Sequence, residues 1–312
     1  MPPVMRCSQL IIILTAILPM LGCQPKPVDE LPRFDGQRAF AEVEALVAFS
    51  PRDAGTSSGW KAADHIFQRL RSFGVESRID TFPDMTPEGE KTFRNVIGQI
   101  RGKNDRWIIL GSHFDTMPGI ENFQGANDSG SSTGVLLELA RILNEHGSVP
   151  EVGILFAFFD GEEGIAHYIP GDGLHGSRRM ALQLVESGTR KKVDAMILLD
   201  MVGDKDQHFI IPANSSRELV KAVLDAAHAT GHRDRFSLSH NLIITDDHTP
   251  FIEIGIPAID LIDFQFGSQP GLNDYWHTDA DNLENISAES LETMGEITLK
   301  LVETLAFQVN PD

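Results

Sequence analysis

Short apolar runs alternate with stretches of helical spacing along this chain, and that alternation restricts the possible folds more than any other feature. The runs Trp107–Leu110, Ile154–Phe159, Met196–Leu199, His208–Ile211 and Ile259–Ile262 each have strand length. Between and around them, 59–74, Thr133–Leu143, Met180–Glu186, Arg217–Thr230 and Ala288–Phe307 place apolar residues at helical intervals, with Gly74 as a stop signal. Strands alternating with helices predict an α/β sandwich with a largely parallel or mixed central sheet. The chain has 312 residues, 41% of them hydrophobic, enough to build one large core. No linker composition interrupts residues 33–312, which are therefore expected to form a single catalytic domain.

The first 32 residues read differently. Arg6, an apolar stretch from Leu10 to Leu18 and then Leu21-Gly22-Cys23 have the order of a signal peptide, too short for a membrane-spanning helix. Small residues directly before a cysteine resemble the lipobox of bacterial lipoproteins. Residues 1–22 are thus expected to be a lipoprotein signal peptide, Cys23 the lipidated residue, and 23–32 a polar, proline-bearing tether. The expected location is the bacterial periplasm, with the membrane contacted only through the lipid. Cys7 and Cys23 are the only cysteines, so the catalytic domain has neither a disulfide nor a thiolate metal site. Net charge is −19 for the chain, and −20 once Arg6, the sole charge of residues 1–22, is removed. Such a surface argues against nucleic acid as a partner.

Five stretches stand where strands end or helices begin: "GSHFDT" (111–116), "GANDSG" (125–130), "FDGEEG" (159–164), "LLDMVGD" (198–204) and "YWHTDADN" (275–282). Singly each has an ordinary explanation: a loop histidine, a helix cap, a strand-end turn. Together they put His113, Asp128, Glu162, Glu163, Asp200 and His277 at one edge of one sheet, where ligands of open α/β sheets gather. Oxygen ligands with neutral imidazoles suit zinc in an open catalytic site. A divalent cation would also make the acid-rich turn tolerable, with Glu163 on the metal and Glu162 left for proton transfer. Asp115, two residues past His113, could orient that imidazole.

The ordered set His113, Asp128, Glu162-Glu163, Asp200, His277 resembles the zinc aminopeptidase superfamily, which also contains the glutaminyl cyclases. The resemblance spans roughly residues 40–307. It implies a three-layer sandwich, a mixed central sheet flanked by helices, and a cis peptide bond between Asp128 and Ser129. Several stretches are similar to the cyclase branch: "GIAHYIPGDGLHGSRRMA" (164–181), a long loop ending in Gly-Ser-Arg; "TDDHTPF" (245–251); "YWHTDADNLEN" (275–285); and 79–98, similar to the segment before the first core strand. By this resemblance one zinc is held by Asp128, Glu163 and His277. Glu162, Asp200 and Asp246 are catalytic carboxylates, and Trp276 and Tyr168 wall the substrate pocket. Tyr168 stands where animal cyclases have a tryptophan, and the cysteine pair found near the metal in animal enzymes is absent, with Ser112 before the metal-edge histidine. The implied reaction converts N-terminal glutamine of peptides or proteins to pyroglutamate. An aminopeptidase of the same superfamily would instead use two zinc ions, the second on His113 and Asp200. A non-catalytic binding lipoprotein would have no use for a general base at Glu162 beside a full ligand set. A monomer is expected.

Overall fold

The computed structural model describes residues 31–166 and 171–307. The signal peptide, Cys23, the tether up to residue 30 and Tyr168 lie outside the described residues. Six strands form the central sheet: β1 (Glu76–Thr86), β2 (Gly89–Ile100), β3 (Trp107–His113), β4 (Gly153–Phe159), β5 (Val193–Asp200) and β8 (Ala258–Ile262). Their spatial order is β1-β2-β4-β3-β5-β8. β1, β2 and β4 pair antiparallel, whereas β4, β3, β5 and β8 run parallel, so the sheet is mixed. The short strands β6 (Phe209–Ile211) and β7 (Phe236–Leu238) form a separate two-stranded sheet.

Side-chain alternation decides the layers. On one face Ile108, Leu110, Ile154, Phe156, Phe158, Ile197, Leu199 and Ile259 pack with α1 (Gly36–Val47), α2 (Ser57–Ser72), α3 (Ser132–His146), α5 (Arg217–Ala229) and α7 (Ala288–Val302). On the other, Ile109, Ala157, Phe159, Met196 and Leu198 pack with Met180 of α4 (His175–Glu186) and Phe251 of α6 (Thr249–Glu253). Strands buried on both faces read as unbroken apolar runs, which is why β3, β4, β5 and β8 were visible in the sequence.

The hairpin was not. Residues 79–98 are not a mere lead-in to the core: they form most of β1 and β2, and β2 is a sheet strand against β4. β1 is an edge strand whose charged residues, Glu76, Arg78, Asp80 and Asp84, share one face, while Ser77, Thr81 and Pro83 dilute the other, so its apolar alternation is weak. The helix from Ala288 stops at Val302 and continues as one wider turn, Glu303–Phe307. α2 ends at Ser72, two residues before Gly74 at φ +80°.

Candidate active site

The parallel strands β3, β4 and β5 deliver their C-terminal ends to one place. β3 ends on His113, β4 leads through Asp160-Gly161 to Glu162 and Glu163, and β5 ends on Asp200. Asp128 lies in the turn before α3, and the loop between β8 and α7 brings Trp276 and His277 over the top. Gly161 sits at φ +77°, and a Cβ there would lie 2.6 Å from the Phe93 ring, so the turn into the glutamates requires glycine. The Asp128–Ser129 peptide bond is cis, as the resemblance implies.

Two triads share Asp128. In the first, His277 Nε2 lies 3.4 Å from Asp128 Oδ2 and 3.1 Å from Glu163 Oε1. In the second, His113 Nε2 lies 3.1 Å from Asp128 Oδ1 and 3.4 Å from Asp200 Oδ1. Within each triad all three donor atoms lie within 4.8 Å of one another. Asp128 thus turns one oxygen to each histidine. His277 adopts φ +55°, a left-handed conformation that costs a non-glycine residue about 1–2 kcal/mol, the kind of strain that collects at functional sites. Trp276 stacks on its ring at 4.0 Å and meets Phe264 at 5.1 Å.

Acidic clamps hold the main chain beneath these side chains. Asp115 takes the backbone N–H of Glu162 on Oδ1 at 3.1 Å and that of Glu163 on Oδ2 at 3.2 Å. Its Oδ1 is 3.5 Å from His113 Nδ1, so its hydrogen-bonding role is to carry the glutamate turn. Asp281 does the same for Asn127 and Asp128, at 2.7 and 3.0 Å. Below them Arg52, fully buried, donates to the carbonyls of Phe114, Gln124 and Gly125 and to the Ser50 hydroxyl. Burial lowers its guanidinium to about 10, with Asp281, Asp128 and Asp115 pulling it back up.

The electrostatics call for a cation. Burial raises Glu163 to about 7, and the charge of Asp128 adds to the shift while His277 opposes it. Burial opposes charge on His277 too, yet its bonds to Asp128 and Glu163 outweigh this and raise it to about 10. Oxygen and imidazole donors at this spacing, with no thiolate, fit zinc. Burial pushes Glu162 well above the ordinary carboxyl range; His113 pulls it back, and Glu163, Asp247 and Asp115 push it further.

A pocket of about 370 Å³ opens onto this edge. Asp128, Glu162, Glu163, Asp200, Asp246 and His277 supply its polar floor, and Met117, Leu242–Ile244, Ile262, Phe264 and Trp276 its apolar walls. Behind Asp246 stand Asp247, His248 and Asp260, all buried. Burial raises Asp246 well above the usual range, and Asp260, Glu162 and Asp200 raise it further.

Every described residue expected at the site is therefore in one place. Sequence reasoning missed Arg52, Asp247, His248, Asp260 and Asp281. All but Arg52 lie within stretches that had drawn attention, yet nothing in a linear pattern says which aspartate of "TDADN" faces inward.

Comparison with known proteins agrees with this geometry. The model of peptidase family M28 matches residues 95–302, more than half of the chain, and the chain belongs to that family. A glutaminyl cyclase structure from an Acidobacteriales bacterium superposes with a TM-score of 0.83 at 35% identity, covering 90% of this chain and 98% of that one. Within the family the chain thus falls in the glutaminyl cyclase branch of the zinc aminopeptidase superfamily. The glutaminyl-peptide cyclotransferase of Drosophila melanogaster is 29% identical over 272 residues, 79% of this chain and 75% of that protein. A leucine aminopeptidase precursor from Bacteroides thetaiotaomicron also superposes, with a TM-score of 0.78 at 28% identity over 88% of this chain and 98% of that one.

Proposed function

We propose that this protein is a zinc-dependent glutaminyl-peptide cyclotransferase that closes the N-terminal glutamine of peptides and proteins to pyroglutamate, releasing ammonia. The observation that carries this reading is the placement of Glu162. It is 7% exposed, borders an apolar-walled pocket, and stands beside a ligand triad that does not need it.

Asp128, Glu163 and His277 would hold one zinc, whose contribution is to polarise the side-chain carbonyl of the substrate glutamine. The substrate's own α-amine nitrogen attacks that carbonyl carbon, the C–N bond to the side-chain nitrogen breaks, and the ring closes. Amine and amide belong to one molecule, so the pocket's main task is to hold them in a reactive geometry. Glu162 takes a proton from the attacking amine and delivers it to the departing nitrogen, a task suited to a carboxyl raised by burial. Asp200 and Asp246 line the same pocket and share protons with it, since crowded buried carboxyls do not all ionise. Trp276, Phe264 and Ile244 keep out water, the competing nucleophile.

The second triad, His113, Asp128 and Asp200, favours a second reading: a two-zinc aminopeptidase in which Glu162 activates water. Incubating the purified protein with a Gln-initiated peptide separates the two by mass. Loss of ammonia supports the cyclase; loss of the whole first residue supports the aminopeptidase.

A further inference from the structure

Asp246, His248 and Asp260 also bring a ring nitrogen and two carboxyl oxygens within 4.8 Å of one another. They resemble a third metal site, but the hydrogen bonding around His248 makes it a donor instead. Asn214 decides this. Its Oδ1 receives the backbone N–H of Ile244 at 3.4 Å and its Nδ2 donates to the Ile244 carbonyl at 2.9 Å, so both backbone groups of one residue set the amide's orientation. The second hydrogen of Nδ2 meets His248 Nε2 at 2.9 Å. An amide nitrogen offers no lone pair, so Nε2 accepts, and a neutral imidazole whose Nε2 accepts carries its hydrogen on Nδ1. Burial keeps the ring neutral, lowering His248 to about 4.

Nδ1 is buried and has no hydrogen-bond partner among the described residues, and the same is true of both carboxyl oxygens of Asp260. A metal would need a lone pair that neither nitrogen has to give. A buried donor in one cluster with unsatisfied acceptors has an obvious use, because a buried polar group left without a partner is destabilising.

We propose that Asn214 locks His248 in its Nδ1–H tautomer and that His248 is a positioning residue, its N–H serving the Asp246–Asp260 carboxyl pair and fixing Asp246 where it faces the pocket. The part played by Asp246 rests on the cyclase reading; the tautomer does not. Asparagine at 248 places an amide where Nδ1 was, and glutamine places it where Nε2 was. His248→Gln therefore keeps the contact with Asn214 and loses the donor, whereas His248→Asn restores a donor.

The test combines ¹⁵N NMR of histidine-labelled protein with kinetics on a Gln-initiated peptide. The wild-type signal that vanishes in the position-248 variants should belong to a neutral, Nδ1-protonated ring, and Asn214→Leu should release it towards the Nε2–H form. His248→Gln should lower kcat by about 10–100-fold with KM and zinc content little changed, the usual scale for groups that orient a site, and His248→Asn should recover much of that loss. A wild-type ring protonated on Nε2, a charged imidazolium, or an asparagine variant no better than glutamine would overturn the proposal. Should a position-248 variant not fold, the wild-type spectrum assigned through Asn214→Leu still decides the tautomer. A protein that leaves N-terminal glutamine untouched refutes the cyclase reading and leaves the tautomer result standing.

Discussion

Replacing Asp115 with asparagine exchanges one carboxyl oxygen for NH₂ and leaves the size of the side chain unchanged. Both oxygens are engaged, by the backbone N–H of Glu162 at 3.1 Å and of Glu163 at 3.2 Å. Asparagine has one acceptor, so whichever way its amide turns, one N–H faces another donor. Losing a hydrogen bond to a charged group costs about 1.5–3 kcal/mol, and stranding the buried N–H about 1–3 more. Local shifts return part of this, leaving a loss of roughly 2–4 kcal/mol in stability. With a urea slope of about 3 kcal/mol/M for a domain of this size, the unfolding midpoint should drop by about 1 M. The glutamates ride on that turn, so turnover should fall about 10²-fold, the cost of misplacing a reacting group by roughly 1 Å. Urea titration followed by circular dichroism reads the first effect and steady-state kinetics the second. An Asp115→Asn protein with an unshifted midpoint and full turnover would show that the clamp does not hold the turn.

Neighbouring glutamates should fail differently. Glu162→Gln should keep zinc while turnover falls about 10²–10⁴-fold, the usual worth of general acid–base catalysis, whereas Glu163→Gln should lose zinc and activity together. Metal analysis of the two variants checks the assignment, and the reverse pattern would exchange their roles. Dialysed, active protein should hold one zinc per chain by elemental analysis; two with full activity would favour the aminopeptidase. If Cys23 is lipidated, Cys23→Ala should move the protein from the membrane fraction to the soluble one, and a wild-type chain already soluble at full length would refute that anchor.

The sequence made the parallel half of the sheet plain because strands buried on both faces leave continuous apolar runs, as in "ILFAFF". His113, Glu163, Asp200 and Asp128 were readable for a related reason: each follows such a run or precedes a helix, whereas His277 lies in the long loop between β8 and α7 and was placed only by the resemblance of its "YWHTDADN" stretch. The hairpin β1–β2 was obscure because an edge strand with both faces half-wet has no clean period. Arg52 was invisible for another reason. In "SPRDAG" it looks like a surface charge, and its burial depends on carbonyls more than sixty residues away, at Phe114, Gln124 and Gly125. His248 shows the same limit, since its tautomer depends on Asn214, thirty-four residues earlier.

Asp115 and Asp281 grip the backbone of the ligand-bearing segments and leave the ligating side chains to the ion. Many small metal-binding domains are unfolded until their ion arrives, so that the energy of binding is also the energy of folding. Here the clamps are made by protein groups alone, so the two processes should come apart. A chelator should yield a folded apoprotein whose stability differs from that of the loaded form by the mass-action contribution of binding alone. The same separation lets the ion be exchanged on a finished scaffold. Cobalt or cadmium could replace zinc, and activity and spectroscopy could be compared across metals, without the fold being a variable in the experiment.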